Sequence, residues 1–425
     1  MELLETLPDT PERSRREIQL QLAPAGRLMV AHSPTAPEVE SAYLRARELC
    51  QQTEDTAQLF FALRGLWEVY FVRAELPETR ALAEQLLGVA RRGQDPLSLS
   101  EAYRALGTSL LWLGEVGPAQ QLFSDSLALV DPRRDHSYAF LNALDPRVSR
   151  LSSWSLALCH QGYPAQALQK GEAALDLARE LGDPFSSAFA LYFLARLHQT
   201  RGEGQPAGAR TEALVALATE HGLPLWMAAG TLLQGRGLVE QGQAEEGLAM
   251  MHQGLAAWRA MGPRLEESYF LALLAEAYGK VGQAAEGLAV VAEALAVVDK
   301  NGERVYEAEL YRLKGELSLQ SRSSESGAQN QEAKSEAQSG RVSDLRSPVP
   351  QAEAEQCFHQ AIAIARRQGA KSLELRAVMS LSRLWQKQGK KKQARQILAE
   401  IYGWFTEGFD TADLQETRHR LQGLS

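Results

Sequence analysis

The chain has 425 residues, 23% of them charged and 7% aromatic, with a formal net charge of −8 at neutral pH. This acidic balance excludes a generally basic surface built for nucleic acid or anionic membranes, and no run of about 18 apolar residues is present to span a bilayer. Cys50, Cys159 and Cys357 lie too far apart to form a metal motif or a disulfide framework, and they read as small apolar side chains.

The chain opens Met-Glu-Leu-Leu-Glu, acidic where a signal peptide needs basic residues, so a cytoplasmic protein is expected. Thr10-Pro11 and Thr35-Ala36-Pro37 are helix-start signals, a capping residue with proline in or near the first turn, and residues 1–55 are expected to form an N-terminal capping hairpin. A repeat array then runs over 56–320. Its first unit carries Phe60, Leu63, Trp67 and Tyr70 at helical spacing before a turn at Ala74-Glu75-Leu76, and the next turns at Gly114. Asp95-Pro96 and Asp131-Pro132 read as the ends of these units. Between Asp131-Pro132 and Asp145-Pro146 the register slips, and the resulting loop at 131–146 is a second candidate binding surface.

Gly162, Gly182, Gly202, Gly222, Gly242, Gly262, Gly282 and Gly302 then recur at intervals of twenty residues between apolar helical stretches. One helix per interval and one helical hairpin per forty residues is the expected result. Seven residues before the turn glycines stand Ser155, Ala195, Gly235, Ala275 and, in the next unit, Gly315. Five after them stand Ala167, Ala207, Gly247 and Gly287. Two columns of small residues on opposite arms let the helices of each hairpin approach closely. Residues 321–350, rich in Ser, Gln, Glu and Arg, cannot bury enough apolar surface to order themselves and are expected to form a disordered insert at a hairpin tip. Residues 351–425 complete the array, and a capping helix near Thr411–Leu421 turns Gln415, Glu416, Arg418 and Arg420 to solvent.

The paired small columns, twelve residues apart across a turn, resemble those of tetratricopeptide (TPR) repeats, with a longer second helix like that of the MalT-like superhelical domain. Tyr269-Phe-Leu-Ala-Leu-Leu-Ala-Glu-Ala-Tyr-Gly, Tyr306-Glu-Ala-Glu-Leu-Tyr-Arg-Leu-Lys-Gly-Glu-Leu and Tyr402-Gly-Trp-Phe-Thr-Glu-Gly-Phe-Asp-Thr-Ala-Asp-Leu are similar to the C-terminal region of large bacterial proteins. Those proteins join a class III adenylate/guanylate cyclase domain and a predicted AAA/STAND-type ATPase to such a tail, and the similarity covers Leu3 to Leu421. The resemblance implies a right-handed superhelical solenoid of about nine TPR-like hairpins, all-α, acting as a sensor or partner-binding arm. No Gly-x-x-x-x-Gly-Lys-Ser/Thr phosphate loop is present, so it carries no nucleotide chemistry onto these residues.

No nucleophile, acid/base pair or metal cluster stands at a useful spacing, and no enzyme activity, cofactor or metal is expected. His198 shares a helix face with Leu191 and Leu194 and reads as packed. The paired acids Glu245-Glu246 and Glu266-Glu267 read as favourable charges at helix N-termini. In TPR arrays the positions six, ten and thirteen before the turn glycine line the concave face. Here they are Arg196, Arg236, Glu276 and Glu316, then Tyr192 and Arg312, then Phe189 and Tyr269. A trough with arginines at one end, glutamates at the other and aromatics between is suited to an extended or helical peptide. The expected function is therefore non-catalytic protein or peptide binding, with a signalling ATPase/cyclase module as one partner. A scaffold or self-association module is the alternative; single-stranded nucleic acid is disfavoured by Glu276 and Glu316.

Overall fold

A computed structural model describes residues 11–31, 36–53, 55–129, 144–336 and 349–424. All regular structure among these residues is helical. The nineteen helices are α1 (Pro11–Ala31), α2 (Pro37–Thr53), α3 (Thr56–Val72), α4 (Leu76–Gly93), α5 (Pro96–Trp112), α6 (Val116–Ala128), α7 (Pro146–Gln161), α8 (Pro164–Glu180), α9 (Pro184–Arg201), α10 (Gly204–Glu220), α11 (Pro224–Glu240), α12 (Ala244–Ala260), α13 (Glu267–Lys280), α14 (Ala284–Asn301), α15 (Glu307–Glu336), α16 (Val349–Gln368), α17 (Lys371–Lys387), α18 (Lys391–Tyr402) and α19 (Ala412–Gly423).

Each odd-numbered helix up to α17 packs against the even-numbered helix that follows it, and also against the odd-numbered helix of the next hairpin. The odd-numbered helices therefore form the inner wall of a solenoid and the even-numbered ones its outer wall. Helix starts follow local chemistry. Asp95, Asp145 and Asp183 each precede a proline at the first helical position, and their carboxylates accept N–H groups from the first turn. The carboxylate satisfies an otherwise orphaned donor and the proline has none to lose. Asp95-Pro96 thus opens α5 instead of closing the unit before it; Asp131-Pro132 lies outside the described residues, as do residues 131–143 of the longer loop. Helix α15 continues to Glu336, into the segment expected to be disordered, and residues 337–348 lie outside the described set.

The small columns bring the two arms of a hairpin together. The Ser155 hydroxyl donates to the Ala167 carbonyl at 2.7 Å, directly across the pair. Between α11 and α12 the approach is closer still: a Cβ on Gly235 would lie 2.5 Å from the Gly247 carbonyl oxygen, and one on Gly247 would lie 2.6 Å from that of Gly235.

The solenoid also returns on itself. The Val72 carbonyl at the end of α3 accepts the Arg264 N–H, just before α13, at 3.0 Å. One hairpin further on, the Trp112 carbonyl at the end of α5 accepts the Arg304 N–H, just before α15, at 2.8 Å. The Cys159 carbonyl in α7 accepts the Ser372 hydroxyl of α17 at 2.6 Å, and Arg201 at the end of α9 pairs with Asp410, just before α19, at 2.9 Å. In all four the partners lie in, or just before, helices ten apart in order. The last carbonyls of a helix lack intrahelical partners, and here the next turn of the solenoid supplies donors. Close approach at this seam requires glycine: a Cβ on Gly202 would lie 2.4 Å from the Ala412 Cβ. Helix α19 therefore does more than cover an end. The Glu407 carboxylate, from the segment before it, accepts the N–H groups of Ala165 and Gln166 at the start of α8 at 2.9 and 3.1 Å.

Substituting Gly235→Val should destabilise the chain by about 1–3 kcal/mol through overpacking against α12. Gly237→Ala, on the same helix with nothing within 4 Å of the added carbon, should instead stabilise it by about 0.5–1 kcal/mol. Urea midpoints of the two variants check this contrast, and equal shifts would contradict it.

Candidate functional site

The offsets six, ten and thirteen before the inner turns land on the inner wall, where the side chains meet one another. In the first part of the array Arg64 donates to Glu101 at 2.9 Å and Arg104 donates to both oxygens of the same carboxylate at 2.8 and 2.5 Å. All three are buried. Burial opposes ionisation of Glu101, but Arg104 and Arg64 outweigh it and hold its carboxyl down at about 2. Arg104 also stacks over Trp67, whose indole N–H donates to Ser109 at 3.0 Å.

The second group gathers at the seam. Arg196 is 1% exposed; its guanidinium donates to Glu266 at 2.5 Å and to the Tyr306 hydroxyl at 3.0 Å, and lies 4.0 Å from the centre of the Tyr269 ring. Tyr269 packs on Tyr306 with ring centres 4.8 Å apart, and His160 meets Tyr306 edge-on. Burial, reinforced by the positive fields of Arg196 and Arg376, holds His160 down at about 3, so this imidazole is neutral. Glu266 is thus not a favourable charge at an exposed helix start: it is the buried counter-ion of Arg196. Glu245 and Glu246 do occupy the first turn of α12.

A third group continues along α11, α13, α15 and α17. Arg236 donates to Glu276 at 3.1 Å, Arg312 donates to both oxygens of Glu309 at 2.9 and 2.7 Å, and Arg376 lies 3.1 Å from Glu309. Arg383 bridges Glu316 at 3.0 Å and Glu416 at 3.3 Å. Burial works against Glu276, but Arg236, Arg376, Lys280 and Arg312 overcome it and hold its carboxyl at about 2. Within this group a half-open pocket of ≈ 50 Å³ is lined by Gln199, Arg236, Tyr269, Glu276, Glu309 and Arg376, among others. That is room for a few waters or the end of one side chain.

All eight residues expected to line the concave face therefore lie on the inner wall. Tyr192, Arg196, Tyr269 and Arg312 are buried there, while Phe189, Arg236, Glu276 and Glu316 are half-buried. Phe189 packs on Phe193 and edge-on to Trp226. The arrangement differs from the expected trough, because the charges do not segregate: each arginine has drawn in a carboxylate, since an unpaired charge on a half-closed wall is costly. The same offsets reach residues that the sequence reading left out. Counted from Ala74, which takes the left-handed turn conformation at φ 57°, they give Arg64; from Gly114, Glu101 and Arg104; from Gly389, Arg376 and Arg383. Counting only the regular series hid them. Among the described residues no group of His, Cys, Asp and Glu side chains could hold a metal ion, and no helix is long and apolar enough to cross a membrane.

No protein-family profile matches the sequence, and no curated protein matches it. Solved structures do. A Rap protein complexed with competence and sporulation factor has a TM-score of 0.59 at 10% identity, the match covering 96% of this chain and 99% of that one. The apo form of the quorum sensor NprR from B. thuringiensis has 0.51 at 11% identity, covering 92% and 99%. A STAND protein from Pyrococcus horikoshii with a tetratricopeptide repeat sensor has 0.40 at 12% identity, covering 92% and 50%. The chain is an all-α, TPR-like solenoid.

Within this solenoid Arg196→Ala should cost about 3–5 kcal/mol, because it strands the buried Glu266 carboxylate. Arg80→Ala removes an exposed pair with Glu84 and Glu115 and should cost less than about 1 kcal/mol. Urea unfolding of both variants is the check, and similar losses would mean that the buried pair has no special weight.

Proposed function

We propose that the chain is a non-catalytic solenoid that binds a protein or peptide on the inner wall of its later hairpins. We propose further that it serves as the sensor or partner-binding arm of a bacterial signalling ATPase/cyclase system. The observation that carries the binding proposal is the convergence of five inner helices, α9, α11, α13, α15 and α17, on the half-open pocket of Arg236, Glu276, Glu309, Arg376, Tyr269 and Tyr306. Of the ion pairs there, Arg236–Glu276 keeps both side chains partly exposed, at 15% and 21%. A charged side chain arriving from a partner can take the place of an intramolecular one at small net cost, which favours recognition by charge pattern. Tyrosine and arginine are also the residue types that concentrate binding energy at interfaces. Likeness of fold over nearly the full length to a Rap protein complexed with competence and sporulation factor supports a binding role. The ATPase/cyclase setting rests on the resemblance of the stretches beginning at Tyr269, Tyr306 and Tyr402 to the tails of such proteins.

The test is affinity capture from the source cell's lysate with the natural chain and with an Arg236→Gln, Arg376→Gln variant, partners being identified by mass spectrometry. These two arginines are half-buried, so the fold should survive their neutralisation, as circular dichroism would verify. A partner held by the first bait and lost from the second is expected. Equal capture would move the site off this wall, and a specific partner for neither bait would sink the binding proposal.

A further inference from the structure

Two loops of the inner seam share a pattern: Gly262-Pro-Arg264-Leu and Gly302-Glu-Arg304-Val, forty residues apart. They are the loops whose N–H groups seat on Val72 and Trp112, the Leu265 and Val305 amides joining those of Arg264 and Arg304. Glu303, 0% exposed, ties one loop to the other. One of its oxygens accepts the Ser268 hydroxyl at 2.6 Å and the other accepts the Glu266 N–H at 3.1 Å. The first loop is itself held in a disfavoured conformation, since Glu266 has φ 72° without being glycine.

The surroundings are short of positive charge. Two carboxyl groups, Glu266 and Glu303, are buried beside one guanidinium, Arg196, which already donates to Glu266 and to Tyr306. Tyr192 and Tyr269 close the space from α9 and α13, and both hydroxyls stay protonated, burial pushing them upward. His160, from α7, is neutral. Asn301, from α14, accepts the Glu303 backbone N–H at 2.9 Å and brings no charge. One arginine cannot serve two ionised carboxylates at this depth, so one of the pair keeps its proton.

We propose that Glu303 is a proton-operated latch on the seam: protonated, it clasps the α12–α13 loop to the α14–α15 loop and both stay seated on α3 and α5; ionised, it repels Glu266 and loosens both loops. Burial and then the Glu266 carboxylate push Glu303 well above the ordinary carboxylate range, against the pull of the Ser268 hydroxyl, Arg196 and the Glu266 N–H. The sign follows from linkage. A folded-state value above the unfolded one means the folded chain holds the proton longer. The seam is at full strength below the ordinary glutamate value and weakens as pH rises through the raised one.

The test is amide hydrogen exchange of Arg264, Leu265, Arg304 and Val305, corrected for base catalysis, from about pH 6 to about pH 9. The wild-type chain, Glu303→Gln and Ser268→Ala are compared. In the wild type, protection at these four amides should fall about tenfold or more across the range, while Glu303→Gln, which cannot ionise and keeps one acceptor oxygen for the Glu266 N–H while its amide NH2 donates to the Ser268 hydroxyl, should hold it. Ser268→Ala removes a donor that favours the ionised form, so the loss should move to higher pH. A flat wild-type profile, or the same loss in Glu303→Gln, would overturn the proposal. Should Glu303→Gln not fold, an unchanged midpoint in Ser268→Ala would overturn it equally. No partner is needed, so this outcome is independent of whether the binding proposal stands.

Discussion

The inner wall of this solenoid is largely shut off from water, and the charges on it have to be neutralised where they stand. That constraint organises the molecule. Arg64, Arg104, Arg196, Arg236, Arg312, Arg376 and Arg383 each have a carboxylate within ion-pair distance, and the pairs cross from one hairpin to the next more often than they stay within one. Pairing of this kind adds less stability than apolar packing would. What it imposes is register, because a hairpin shifted against its neighbour would leave a charge buried alone.

Three layers of chemistry meet in that wall. Small residues at Gly235 and Gly247 set how closely the arms of a hairpin approach. Aromatic rings link the hairpins through the middle, Trp67 on Phe71, Phe71 on Trp112, and Trp112 towards Phe193. Charges then decide what the remaining space can accept. The pocket between α11 and α17 leaves the Arg236–Glu276 pair partly exposed, and it is there that the proposed partner would meet the wall.

Much of this was legible in the sequence because it is local. A glycine every twenty residues, small columns at fixed offsets and prolines at helix starts are each decided within one hairpin, and the inner-face offsets followed from them. What stayed hidden depends on distance along the chain. Arg196 and Glu266 are 70 residues apart, and nothing around Glu266 distinguishes it from Glu267 beside it, which faces Arg259 instead. Ala74 takes a turn position without being glycine, so a count based on glycine skipped its unit. The Asp-Pro pairs were visible, but whether they end one helix or begin the next is set by which N–H groups the carboxylate reaches.

The contacts between helices ten apart change the kind of polymer this is. An array whose units touch only their immediate neighbours behaves as a one-dimensional chain of coupled segments, able to fray from either end and to tolerate the loss of a terminal unit. Joining α3 to α13, α5 to α15, α7 to α17 and α9 to α19 adds a second dimension. The hairpins then tile a cylinder, and disrupting one disturbs units before and after it in sequence and also the one facing it across the seam. Unfolding should be correspondingly more cooperative. Folding carries a larger loop-closure cost, because each seam contact encloses about two hundred residues of chain.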